Sequence, residues 1–347
     1  MKKALLITGI FYFSIASVFS LPNLIERQLF KVNDTKKINL NLTWENIDIQ
    51  ESDEAKNILV EVYCNKTKWA PGIKFSDSTI TVKSANSRNF FIFGAPRKCT
   101  VIIRLPSGAE FDQFSMGTTS GNIHTQTVIS AEKFSSTSTS GKQSITEEVF
   151  AHDAIITSTS GNLFAQTIFG DRLKVSSTSG SIHIEGLDAK TCSAEATSGS
   201  IKISDLKIDQ TKVSTTSGSI TLEGTIFEAF DASSSSGMIN LELNKAPSNN
   251  SRAKATSGSV FLGLPGDSDF SLRVQTTSGA FINTLTKEKI GDHVNYNSDI
   301  NRGGASIILS STSGRITVDS TNGITGKVND SFEEPDIPVV SFDDPIF

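Results

Sequence analysis

The side chains able to do acid–base or metal chemistry in this sequence are four histidines and a scattered set of carboxylates. His124, His152, His183 and His293 could act as bases or ligands only if partners converged on them. His124 and His183 share one offset of a repeat but lie three units apart, about 14 Å at strand spacing. No two acids are expected to face inward at one level. Carbohydrate-cleaving β-helices need clustered acids, frequently with a metal or basic partner. The sequence therefore predicts a non-enzymatic chain with no cofactor and no metal site. Its three cysteines have no C-x-x-C spacing. Cys64 and Cys99 lie in the apolar segments 59–64 and 99–105 and could form a disulfide in an oxidising compartment. Cys192 falls on a core position and reads as a small buried hydrophobe.

Hydroxyls are the most regular polar groups. They occur as Thr119-Ser120-Gly121, Thr139-Ser140-Gly141, Thr159-Ser160-Gly161, Thr178-Ser179-Gly180 and Thr197-Ser198-Gly199. The series continues with Thr216-Ser217-Gly218, Ser235-Ser236-Gly237, Thr256-Ser257-Gly258, Thr277-Ser278-Gly279 and Thr312-Ser313-Gly314. Successive glycines are 20, 20, 19, 19, 19, 19, 21, 21 and 35 residues apart. A sharp corner between strands is expected to need glycine at positive φ. Its Ser and Thr neighbours would bond the turn backbone and adjacent coils. Turn chemistry alone accounts for these residue types.

The elements that position the turns follow from period-2 alternation on both sides of each glycine. Seven and five residues before it stand, for example, Leu173 and Val175; two and four after it, Ile182 and Ile184. A third apolar position follows near +7 or +8, as at Val128, Val149, Ile168, Leu187, Leu206 and Ile226. A unit near 20 residues is too short for a strand–helix–strand crossover of about 30. The reading is an all-β, single-chain β-solenoid, parallel β-helix-like, of about ten 19–21-residue coils, capped at both ends.

Four segments are expected. Residues 1–20 read as a signal peptide: Lys2 and Lys3, an apolar run, and small residues before Leu21. The mature chain has no membrane span, since no second apolar stretch is long enough. Residues 21–112 form an amino-terminal β cap, with strand-like runs at 37–42, 47–50, 58–63, 78–82 and 99–105. There Glu45 stands where a degenerate coil would carry its glycine, and residues 89–94 form a Phe-rich loop. Residues 113–320 are the repeat, and 321–347 an acidic, disordered tail. The chain carries a net charge of −5, and the tail holds Lys327 against Asp330, Glu333, Glu334, Asp336, Asp343 and Asp344. Nothing suggests a nucleic-acid binder, which would show a basic stripe, so no nucleic-acid partner is expected.

With these features the sequence resembles the bacterial putative-adhesin family of β-strand-repeat proteins, formerly a domain of unknown function. The resemblance rests on the repeated Thr-Ser-Gly-x-Ile, on Leu105-Pro106-Ser107-Gly108-Ala109, and on Asn301-Arg302-Gly303-Gly304 ahead of Ile307 and Ser311-Thr312-Ser313-Gly314-Arg315-Ile316. It covers roughly residues 38–320. It implies a surface or envelope solenoid, in the periplasm, on the cell surface or secreted. Family members commonly carry an acid after the turn glycine; here Asn122, Lys142, Ser181 and Arg315 occupy that place. The expected role is a structural or adhesive rod that shows a hydroxyl-rich surface to an unknown envelope, glycan or protein partner. A polysaccharide-binding or -cleaving β-helix is the alternative. An ice- or water-ordering Thr array, as at Thr137/Thr139 and Thr157/Thr159, is a lesser one.

Overall fold

Alternating side chains need a sheet with one covered face, and the chain builds one by stacking on itself. A computed structural model describes residues 23–85 and 98–321. Its strands join in one 24-stranded hydrogen-bonded sheet. The helical elements of the described residues are two single 3-10 turns, Val32–Asp34 and Thr67–Trp69. The expected signal peptide and the Phe-rich loop 89–94 lie outside the described residues, as does the tail beyond Thr321.

From the Gly121 turn to the Gly258 turn each unit pairs in parallel with the next, with local register shifts. Leu163, Ala165, Leu173 and Val175 oppose Ile182, Ile184, Cys192 and Ala194. The last four oppose Ile201, Ile203, Thr211 and Val213. In the Gly199 unit, Ile182, Ile184, Leu187, Cys192, Ala194 and Ala196 are all buried. Each Leu or Ile so buried is worth about 1.5–3 kcal/mol. Two inward positions are missed by pattern reading: the third residue before glycine, and the tenth, held by Phe111, Ala131, Ala151, Ala189 and Ile208. One apolar assignment is corrected: Val128 is exposed, and its neighbour Ile129 is buried instead. Ile129 opposes Val149 in register, and both stand eight residues after their glycines, so the inward place in these two 20-residue units is one residue later than in the 19-residue units.

The two ends share a plan. Lys37–Asn41 and Asn46–Ser52 pair in parallel with Glu110–Thr118 and Ile123–Gln126, so Glu45 lies one layer beyond Gly121. Outside them come Thr79–Lys83 and Cys99–Pro106. Antiparallel strands finish this end: Gly72–Ser76 on one face, Asn57–Cys64 and Asn23–Lys31 on the other. A disulfide joins Cys64 and Cys99, which oppose one another in that antiparallel pair.

At the other end the order differs from that of the sequence. Ser306–Ser311 inserts between Ser251–Ala255 and Phe270–Thr276. Ile316–Ser320 inserts between Val260–Leu264 and Phe281–Asn283. The Gly314 turn therefore lies between Gly258 and Gly279; it does not follow Gly279 as the sequence order suggested. The 35-residue step carries the chain outward through Glu288–Ile290 and Asn295–Ile300, which pair antiparallel on the two faces. Reversed strands at both ends leave no further repeat to template.

Candidate functional site

The ten turns stack along one edge. In every unit the glycine is buried and the two residues before it are exposed. The expected reason for glycine is corrected. None of the ten has positive φ. Close approach excludes a side chain: an ideal Cβ would lie 1.7–2.1 Å from a backbone carbonyl oxygen one layer away. That oxygen belongs to the stacked glycine, or to Glu45 beneath Gly121.

The turn backbone is bonded chiefly by the third residue before glycine, which is Ser or Thr in eight units and Ala196 or Ala255 in two; seven of the eight hydroxyls bond the turn, and Ser177 Oγ is buried without a partner. Ser234 Oγ accepts from Gly237 N at 2.8 Å and donates to Gly218 O at 3.2 Å. Ser311 Oγ accepts from Gly314 N and donates to Gly258 O, both at 2.8 Å. Thr118 does the same between Gly121 N and Glu45 O. Backbone bonds then hold the edge in register, as from Ser140 N to Thr119 O at 2.8 Å. The Thr and Ser side chains named by the motif are left facing solvent along this edge.

The histidines do not converge. His124 Nδ1 lies 3.8 Å from Asp48, whose carboxyl is pushed up by burial. His152 Nδ1 lies 2.7 Å from Asp171, which Lys190 also contacts at 2.8 Å. The Lys190 hydrogen bond is the main reason the Asp171 carboxyl is held low. His183 packs edge-on against Phe164, and burial lowers its imidazole. His293 lies in the outward excursion with φ 60°. Among the described residues no three His, Cys, Asp or Glu side chains are placed to hold a metal ion.

The in-register stack gathers a set of charges that linear order disperses. Three outward columns run along the pre-turn face, at eight, six and four residues before each glycine. The first holds Lys37, Lys133 and Arg172, all exposed. The second holds Lys74, Lys174, Lys212, Arg252 and Arg273. The third holds Lys83 and Lys254. Against these ten cations stand four acids: Asp153, Glu195, Asp231 and Asp299. Two of the acids are tied to arginines one layer on, Asp153 to Arg172 and Asp231 to Arg252. The face is thus net +6 in a chain of net −5. Two adjoining concavities of ≈ 630 and ≈ 320 Å³, lined from Gln113 to Asn250 and sharing Thr191 and Cys192, make a shallow trough along it. Thr157 Oγ1 donates to Thr137 Oγ1 at 3.1 Å in the third column, but Glu195 and Lys254 break that hydroxyl row.

Several solved structures are similar. One described as a putative adhesin from Parabacteroides distasonis is 14% identical over 86% of this chain and 97% of that one, with a TM-score of 0.45. A second from that organism, described as a putative lipid binding protein, is 14% identical over 85% and 96%, also at 0.45. A putative adhesin from Bacteroides fragilis is 15% identical over 86% and 97%, at 0.37. No curated protein matches the sequence. The model of one family, Toastrack DUF4097, matches residues 35–199 and 165–319. Those two matches cover the stacked turns from Glu45 to Gly314, and the chain belongs to the Toastrack DUF4097 family.

Proposed function

We propose that the protein is an exported, non-enzymatic, adhesin-like rod. Residues 1–20 direct export, 21–112 form the amino-terminal cap, 113–320 supply ten Thr-Ser-Gly coils, and 321–347 are an acidic tail. The rod presents its hydroxyl-rich edge and flat faces to an envelope, glycan or protein partner. One observation carries this reading: the exposed Thr and Ser of all ten turns fall on one edge of an in-register stack. Parallel stacking makes each unit support the next, so the edge keeps its spacing over its length.

Protease treatment of intact cells, against cells with a permeabilised envelope, tests it. Cleavage on intact cells is the expected result for a surface rod, and cleavage only after permeabilisation for a periplasmic one. Recovery of the chain in the cytosolic fraction with residues 1–20 still attached would overturn the reading.

A further inference from the structure

We infer that the pre-turn face binds an extended acidic polysaccharide that carries one anionic group on every second sugar. This deepens the proposed role by naming the partner's chemistry, and it rests on that reading only for the compartment.

The first support is an excess of cations. Lys37, Lys133, Lys174, Lys212, Lys254 and Arg273 take part in no ion pair among the described residues. Their net charge is not offset by the four acids of the face, two of which are already neutralised by arginine.

Spacing is the second support. From Lys37 onward these six fall on every second strand of the stack. Two strand spacings are about 9–10 Å. Toward the amino-terminal cap Lys83 and Lys74 stand on the next two strands, so the alternation runs from Lys37 to Arg273 only; within it, avoidance of like charges explains why the columns of the intervening layers lack cations. Cross-strand pairing accounts for Asp153, Glu195 and Asp231 in three of the intervening layers; in the layers of Ser115 and Ser310 the three columns hold no acid. Two extended sugar rings span a length similar to two strands, so one anion per disaccharide keeps step with the cations. Between the cations the columns also offer hydroxyl groups such as Ser115, Thr191 and Ser193, suited to sugar hydroxyls, although Asp153, Glu195 and Asp231 stand in three of these five layers.

The surface also disfavours other polyanions. The three columns contain no aromatic side chain, so bases of a single-stranded nucleic acid would have no stacking platform. Ile155 is the single large exposed apolar side chain on the columns, too little to anchor in a bilayer. The trough runs across successive layers from Gln113 to Asn250, which fits a chain better than a planar membrane.

Hyaluronan, with a carboxylate on alternate sugars, is the probe, titrated against the full chain from Leu21 by calorimetry. Binding that weakens steeply with salt is expected. Lys174→Glu with Lys212→Glu should weaken it at least tenfold, and Lys174→Gln with Lys212→Gln by less. Lys202→Glu, on the strand that follows the Gly199 turn, should leave it unchanged. Circular dichroism of each variant confirms folding. No binding by the folded chain, equal binding of neutral dextran, full binding by the Lys174/Lys212 variants, or tighter binding of poly(dT) or phosphatidylglycerol vesicles would each overturn the inference. None of these results bears on export, which the protease experiment decides.

Discussion

The carbonyl oxygen of Gly121 occupies the place where a side chain on Gly141 would begin. An ideal Cβ at Gly141 would lie 1.7 Å from that oxygen and 2.5 Å from its carbon. Both atoms are backbone and cannot swing aside. Gly141→Ala must therefore spread two layers, and we expect a loss of about 3 kcal/mol or more. Gly291→Ala, where nothing lies within 4 Å of the new methyl, is the control and should be near neutral. Urea denaturation of both variants checks the contrast; equal stability would mean the layers are not this close.

Ser234 and Ser236 are both serines of one turn, and they should behave oppositely. Ser234 is buried and bonds Gly237 N and Gly218 O. Ser236 is exposed. Ser234→Ala strands a buried N–H and should cost about 1–3 kcal/mol. Ser236→Ala should fall within about 0.5 kcal/mol of the parent. Thermal denaturation at one protein concentration separates them.

The repeat, its register and most of its core were legible because one residue class recurs at one offset in each unit. Two features were not, for definite reasons. The glycines were readable as essential, but their cause was not: a positive-φ turn and a backbone close approach leave the same mark in a sequence. The hydroxyl that bonds the turn stands one place upstream of the conspicuous motif. There Ser, Thr and Ala interchange, which blurs the signal. The basic face was illegible because Lys133, Lys174 and Lys212 are about two unit lengths apart in sequence and meet only after stacking. The position of the Gly314 turn was hidden as well, since a 35-residue step is compatible with either order.

Ser136 and Gln143 stand where the other units place apolar residues. Both are buried; Ser136 Oγ donates to Gln143 Oε1 at 2.5 Å, and Gln143 Nε2 donates to Thr157 O at 2.5 Å. Gln143→Leu alone leaves the Ser136 hydroxyl without its acceptor and should cost about 1–3 kcal/mol. Adding Ser136→Ala should recover a good part of that loss. A double-mutant cycle by urea denaturation reads the coupling, and strict additivity would contradict a direct bond.

Removing the last strands should harm the stack in its interior. A chain ending at residue 305 lacks Ser306–Ser311 and Ile316–Ser320, which separate the Gly258 layer from the Gly279 layer. Phe270–Thr276 would then keep only its antiparallel partner Asn295–Ile300. Hydrogen exchange should show loss of amide protection across Phe270–Thr276, with protection retained in the units around Gly161 and Gly180. Were Gly314 simply the outermost coil, truncation would leave Phe270–Thr276 protected.

Cys192 supplies a pH dependence whose sign is fixed by burial. The thiol is buried and is pushed up to about 12 from 9, mainly by burial and against a smaller lowering from Thr211. A folded thiol with a raised pKa keeps its proton where the unfolded thiol has lost it. Its contribution is therefore complete below pH 9 and declines as pH rises toward 12. Between pH 8 and pH 10 the parent should lose more stability than Cys192→Ala, because the variant has no thiolate to gain on unfolding. The comparison cancels the lysines and tyrosines that titrate in the same range. In the folded chain at pH 8, iodoacetamide should leave Cys192 unmodified and label it once urea opens the stack. Rapid labelling without denaturant would show that the Gly199 layer opens on its own.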